Sequence, residues 1–167
     1  MKIYTIGHSN IPFNEFLELI KAHEIIKLVD VRSSPYSKYA TQFNREELKS
    51  SLKKVGINYY YLGHLIGGKP EGKQFYVDGK VDYELIEQDK SYQGGIHKLM
   101  EEASSANTVI MCSEENPTQC HRHKLITPSL IKESWTVIHI RGNGRTQKID
   151  KTPKKYVKTT LIWYENL

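Results

Sequence analysis

Twelve residues near the middle of the chain, Cys112 to His123 (CSEENPTQCHRH), hold two thiols, two imidazoles, two carboxylates and a guanidinium. Each type has its own chemistry. A thiolate is a nucleophile and a soft metal ligand. An imidazole moves protons near neutral pH. A carboxylate accepts them, and a guanidinium takes an anion in a planar fork. The residues before this stretch, Thr108 to Met111, are apolar or β-branched, as a strand buried on both faces requires. Cys112 falls where that strand should end. Asn116, Pro117 and Gln119 then supply a capping side chain, a proline at the first helical position and an amide at the third. This signal predicts a helix that carries Cys120, His121 and Arg122 on its early turns, where free N–H groups and the dipole suit an anion.

Other reactive side chains lie far away in sequence but at equivalent places in the pattern. His8 and Ser9 follow a first strand, Lys2 to Ile6. Asp30 and Arg32 close a second, IKLVDV, and share one face of it. Gly63 and His64 follow a third, INYYYL, over Ile57 to Leu62. Trp135 to Ile140 is a last strand. Helices alternate with them: Pro12 to about Ile25, with Phe13, Phe16, Leu17 and Ile20 at helical spacing, Asn44 to Val55 with Asn44 as cap, and Gly94 to Ser104. Pro128 predicts a kink or restart near Thr127. Residues 63 to 90, rich in glycine, read as an irregular insert with a hairpin at Asp78-Gly79 and a helical turn over Tyr83 to Gln88.

The alternation predicts a single α/β domain over residues 1–167. Its sheet should be mostly parallel, of about five strands, with helices on both faces. In such sheets ligands bind beyond the carboxyl ends of the strands. The reactive residues would then share one rim. Candidates for proton transfer are His8, Asp30, Glu114 and His121. Candidates for holding an anion are Ser9, Arg32, Asn44 and Arg122. Cys112 and Cys120 are possible thiols.

Composition narrows the classes. Hydrophobic residues make up 38% and charged residues 26% of the chain, which excludes a disordered segment. No apolar run reaches membrane-spanning length, and MKIYTIGHSN lacks a signal peptide's apolar core. Two cysteines cannot form a disulfide framework. A cytoplasmic protein with reduced thiols and no membrane partner is expected. The net charge of +5 is uneven. Arg141 to Lys158 holds seven Lys or Arg and one Asp, leaving 17 basic and 18 acidic residues elsewhere. The segment is either a solvated surface or an arm for phosphate or nucleic acid.

Four stretches, TIGHSN, LVDVRSSPYSKYATQFN, YLGHLIGG and MCSEENPTQCHRH, resemble the family called domain of unknown function 488. The resemblance spans most of the chain up to about Gly144. It implies a compact cytosolic α/β domain and these pocket residues, and no settled activity.

Three classes of function follow. The first is an enzyme acting on a phosphate-bearing substrate, a nucleotide or nucleic acid. Arg32, Arg122 and the helix start would bind the anion, and the histidines and acids would move protons. Tyr36, Tyr39 and Phe43 could stack on a base. The second is thiol chemistry, because LVDVR resembles the second-strand motif of rhodanese-like sulfurtransferases. A cysteine-based phosphatase would need Cys-x5-Arg, whereas Thr118 stands six after Cys112. The third is a non-enzymatic nucleic-acid-binding or metal-binding module. Cys112, Cys120, His121 and His123 match no zinc-finger spacing, and His121 and His123 point apart on a helix. No metal is assigned from this stretch alone, and a mixed site with His8 or Asp30 stays open. No cofactor is specified.

Overall fold

The computed structural model describes residues 1–151. Six strands form one sheet: β1 (Lys2–Gly7), β2 (Lys27–Asp30), β3 (Asn58–Tyr61), β6 (Thr108–Cys112), β7 (Thr136–Ile140) and β8 (Thr146–Ile149). Their order is β3-β2-β6-β1-β7-β8, with all neighbours parallel except β7 and β8. β4 (Tyr76–Val77) and β5 (Lys80–Val81) make a separate hairpin. The expected α/β sheet is present, with one strand more than anticipated. β8 is the addition. Its polar, basic sequence has no apolar alternation, and it pairs only at the sheet edge.

Parallel strands buried on both faces need apolar side chains at every position. β6 is buried along its whole length, and only its first residue, Thr108, is polar. Alternate residues feed two cores. On one face Tyr4, Ile6, Leu28, Val109 and Met111 pack with Phe16 and Ile20 of α1 (Phe13–Lys21) and with Leu48 and Leu52 of α2 (Arg45–Lys54). On the other, Ile3, Val29, Ile110 and Val137 meet α3 (Gly63–Ile66), α4 (Tyr83–Gln88), α5 (Lys90–Ser104) and α6 (Thr127–Lys132).

Several local expectations need correction. Asn44 precedes α2 but its side chain does not cap that helix. Its Oδ1 instead accepts from Ser37 N–H at 2.7 Å, pinning the loop after β2. α5 begins at Lys90 because Asp89 caps it, accepting from the N–H groups of Ser91 and Tyr92. Gly95 is required there: a Cβ would lie 2.6 Å from Ile66 Cγ2 of α3. The stretch from 63 to 90 is more ordered than its composition suggests. It holds α3, the hairpin and α4, and Asp78 and Gly79 take the positive φ values of a tight two-residue turn.

The helix expected from Asn116 forms in two pieces. Asn116 does cap, accepting from Thr118 N–H, but only a 3₁₀ turn, Pro117–Gln119. Cys120 is then extended, so it does not sit on a helical turn as expected. The chain resumes as a π-helical turn, Arg122–Ile126, which runs directly into α6. Pro128 lacks the N–H that an unbroken α-helix would use, and the π turn falls just before it. The Arg122 carbonyl accepts both Thr127 N–H and, at 2.6 Å, Thr127 Oγ1. The restart at Thr127 is as expected.

The first residue of the basic segment is structural: Arg141 forms a two-pronged ion pair with Glu115, at 2.9 and 2.8 Å. Lys154, Lys155 and Lys158 lie outside the described residues, as does Tyr156 to Tyr164, whose sequence allows either a closing helix or a closing strand. No helix among the described residues is long and apolar enough to cross a membrane.

Candidate functional site

The carboxyl ends of β1, β6 and β2 lie side by side, with Gly7 level with Cys112 and Asp30 level with Met111. Gly7 has to be glycine, because a Cβ would lie within bonding distance of the Glu114 carbonyl. This close approach brings the loops after β1 and β6 together. His8 N–H donates to Cys112 O, and Ser9 N–H to Ser113 O. Two groups of side chains result.

The first group is closed. Asp30, with no exposed surface, accepts from Arg32 N–H at 3.1 Å, Nε at 2.9 Å and Nη2 at 2.6 Å, and from the Tyr59 hydroxyl at 2.8 Å. Arg32 also donates to Phe43 O at 2.7 Å and faces His8 Nε2 at 3.1 Å. A guanidinium only donates, so His8 Nε2 is the acceptor and its proton sits on Nδ1, which donates to Ser9 O at 2.6 Å. Burial first, and then Arg32, pushes the His8 pKa down to about 4. The ring is a neutral, fixed imidazole stacked on Phe43. His8, Asp30 and Arg32 are brought together as expected, but they spend their hydrogen bonds on one another. Ser9 and Asn44 stand outside the cleft described next, and Ser9 is exposed with φ +48°.

The second group is open. Cys112, Glu114, Cys120 and His121 line a cleft of about 470 Å3, with Arg32, Ser33, Ser34, Lys69, Tyr83 and Gln119 around them. Cys112, Cys120 and His121 are themselves buried. His121 Nε2 lies 3.1 Å from the carbonyl of Val31 and must donate to it. Nδ1 therefore faces inward, 3.7 Å from each of the two sulfurs. Gly68 holds the ring in place, because a Cβ there would lie 2.6 Å from His121 Cγ. Cys112 Sγ is 3.2 Å from Glu114 Oε2.

Protonation divides within this group. The hydrogen bond shared with Cys120, together with burial, pushes the Cys112 thiol well up. That same bond lowers Cys120 to about 5 against the effect of burial, helped by His121 and Arg122. Burial alone would raise Glu114, but hydrogen bonding, led by Cys112, holds it below the ordinary carboxylate value. At neutral pH the cleft therefore holds a thiolate, a neutral thiol and a carboxylate.

Arg122 lies behind this group, not in it. It has no exposed surface. Its two terminal nitrogens donate to the carbonyls of Glu114 and Glu115, and its Nε has no partner among the described residues. It fixes the loop after β6 and sets a positive charge beneath Cys120. Its backbone N–H points to Cys120 Sγ at 3.5 Å. His123 is turned away from the cleft, 2.9 Å from His139, which in turn meets Thr5. Sequence reasoning missed Lys69, Tyr83 and Gly68. The only signal for them was the glycine-rich run LGHLIGG, whose backbone packs on Arg32 O and on His121.

Fold and cleft define a parallel α/β domain with a polar site at the strand carboxyl ends. A family model described as domain of unknown function DUF488 matches residues 12–127, and the chain belongs to that family. No curated protein and no solved structure matches it.

Proposed function

We propose that the protein is an enzyme whose active site is the cleft over Cys112, Glu114, Cys120 and His121, and that it acts on a small phosphate-bearing substrate. The observation that carries this reading is the divided protonation of these groups beside an open cavity. Neighbouring groups pushed apart in this way supply a base and a proton donor in one place. Lys69, exposed in the cleft lining, and the hydroxyls of Ser33 and Ser34 supply contacts for an anion. Arg32 and Arg122 act as buried positive charges beneath the cleft and not as direct ligands, since Arg32 is bonded to Asp30 and Phe43, and Arg122 is fully buried with both terminal nitrogens on backbone carbonyls. A second cleft of about 480 Å3 shares Ser33 and Lys69 and gives room for the rest of a nucleotide-sized molecule.

The test is turnover on a panel of nucleotides, sugar phosphates and short single strands, read by chromatography. Glu114→Gln, at an exposed position, should abolish turnover while leaving thermal unfolding unchanged. Absence of turnover across the panel, or equal turnover by Glu114→Gln, would remove the reading. One observation favours a second reading, thiol transfer: the hydrogen bond from Cys112 and the Arg122 charge nearby hold Cys120 as a thiolate. Loss of turnover in Cys120→Ser, with a trapped adduct on Cys120 in the parent protein, would select it.

A further inference from the structure

We propose that Cys112 Sγ, Cys120 Sγ and His121 Nδ1 bind a zinc ion, with the fourth position open to the cleft. The inference rests on the same cleft as the enzyme reading and goes beyond it by naming the ion that the cleft holds; with the ion bound both cysteines are thiolates, and the proton donor and base of that reading become a water on the metal and Glu114.

The three ligand atoms all lie within 4.8 Å of one another. Zinc binds sulfur at about 2.3 Å and imidazole nitrogen at about 2.0–2.1 Å, which puts S and N of a tetrahedral site about 3.6 Å apart. Both S···N distances here are 3.7 Å. Thiolate and imidazole together suit zinc over harder cations such as magnesium.

The surroundings are those of a metal ligand set. A ligating histidine donates its other ring N–H to a carbonyl or carboxylate, which fixes the tautomer and ring orientation. His121 does so to Val31 O, and Gly68 presses on the ring from behind. Arg122 N–H faces Cys120 Sγ as an amide does a metal thiolate. The charges also close. Two thiolates and the Glu114 carboxylate carry −3. A zinc ion and the buried Arg122, which has no acidic partner among the described residues, carry +3.

Three protein ligands and an open fourth position are the pattern of a catalytic zinc. A water bound there would pass one proton to a Glu114 carboxylate oxygen, leaving hydroxide on the metal and a neutral carboxyl beside it. Cys112 ends β6 with Glu114 two residues beyond it, and Cys120 and His121 sit in the break between two helical turns. The site therefore joins a strand end and a loop corner that only the fold brings together. This accounts for a spacing that fits no zinc finger.

The experiment uses the full chain, reduced and stripped with a chelator, then titrated with zinc and with cobalt. One zinc per chain should survive desalting. Cobalt should give the thiolate charge-transfer band and the intense visible bands of a tetrahedral site. Cys120→Ser and His121→Ala should each weaken zinc binding by more than the roughly 10–100-fold that loss of a second-sphere partner causes. Glu114→Gln and His123→Ala should retain stoichiometric zinc, and they keep the test valid if a ligand variant fails to fold. Sub-stoichiometric zinc in the reduced parent protein, a cobalt spectrum without thiolate bands, or unchanged affinity in a folded Cys120→Ser would overturn the proposal. Binding is read without substrate. Zinc bound without turnover removes the enzyme reading alone, and turnover by a chain that fails to take up zinc removes the zinc proposal alone.

Discussion

Replacing Asp30 by Asn should destabilise the fold by about 3–5 kcal/mol, the usual loss when one member of a buried ion pair is neutralised. Asp30 is fully buried and its carboxylate takes four hydrogen bonds, three of them from Arg32. An amide keeps one acceptor oxygen. Its NH2 group would face either Arg32 Nη2 and the Tyr59 hydroxyl or Arg32 Nε and N–H, donor against donor. The guanidinium would also lose its only acidic partner among the described residues. The loss is measured by urea unfolding, with an unchanged denaturant slope showing that the midpoint shift is one of stability. A second chain, Asp30→Asn with Arg32→Met, separates the causes. With the buried charge gone it should be more stable than the single variant, and the two changes should couple by more than about 1 kcal/mol. A loss below about 1 kcal/mol in the single variant would refute the reasoning. It would mean that Arg32, at the cleft floor, is solvated well enough to do without its partner.

Acid should weaken the fold through two histidines. His8 is held at about 4 and His139 at about 3, in both cases chiefly by burial, against an ordinary value of 6.5. The unfolded chain binds their protons first. Their stabilisation is thus complete above pH 6.5 and is lost as pH falls through 6.5 towards 4 and 3. For His8 the shift corresponds to about 3 kcal/mol, and urea midpoints for His8→Asn should show a flatter slope with pH across that window. Gly68→Ala should cost about 1–3 kcal/mol by overpacking and displace the His121 ring resonances, because the new methyl would meet that imidazole. An unshifted ring would show that Gly68 does not position it.

The fold was legible because β6 is apolar or β-branched throughout and α1 shows a clean stripe ending on Phe16 and Ile20. Strand ends then gave the rim, and His8, Arg32, Cys112 and Glu114 do gather there. Sequence could not say which way each side chain is spent. Arg32 and Arg122 look like anion binders until their partners are seen, and the partners of Arg122 are backbone carbonyls, which carry no residue signature. Cys120 was expected on a helix because Asn116 and Pro117 are good starting residues. Whether a turn of three residues continues is decided by packing, not by its cap. β8 escaped notice because an edge strand bonded on one side needs no apolar face. The convergence of Cys112 with Cys120 and His121 depends on Gly68 and Val31, far away in the chain.

The π turn at Arg122–Ile126 has a consequence for tolerance to length change. A π turn is an α-helix carrying one residue in excess. Each helical residue turns the chain by about 100°, so the extra one sets the angular offset between α6, anchored in the core by Leu130, and the Cys120-His121 corner. Deleting a single residue between His123 and Leu125 would let the segment wind as ordinary helix and leave α6 packed. The corner would swing through that angle, carrying the sulfur and the imidazole away from Cys112. Insertions and deletions here act as a phase shift, one that the body of the domain can absorb and the cleft cannot.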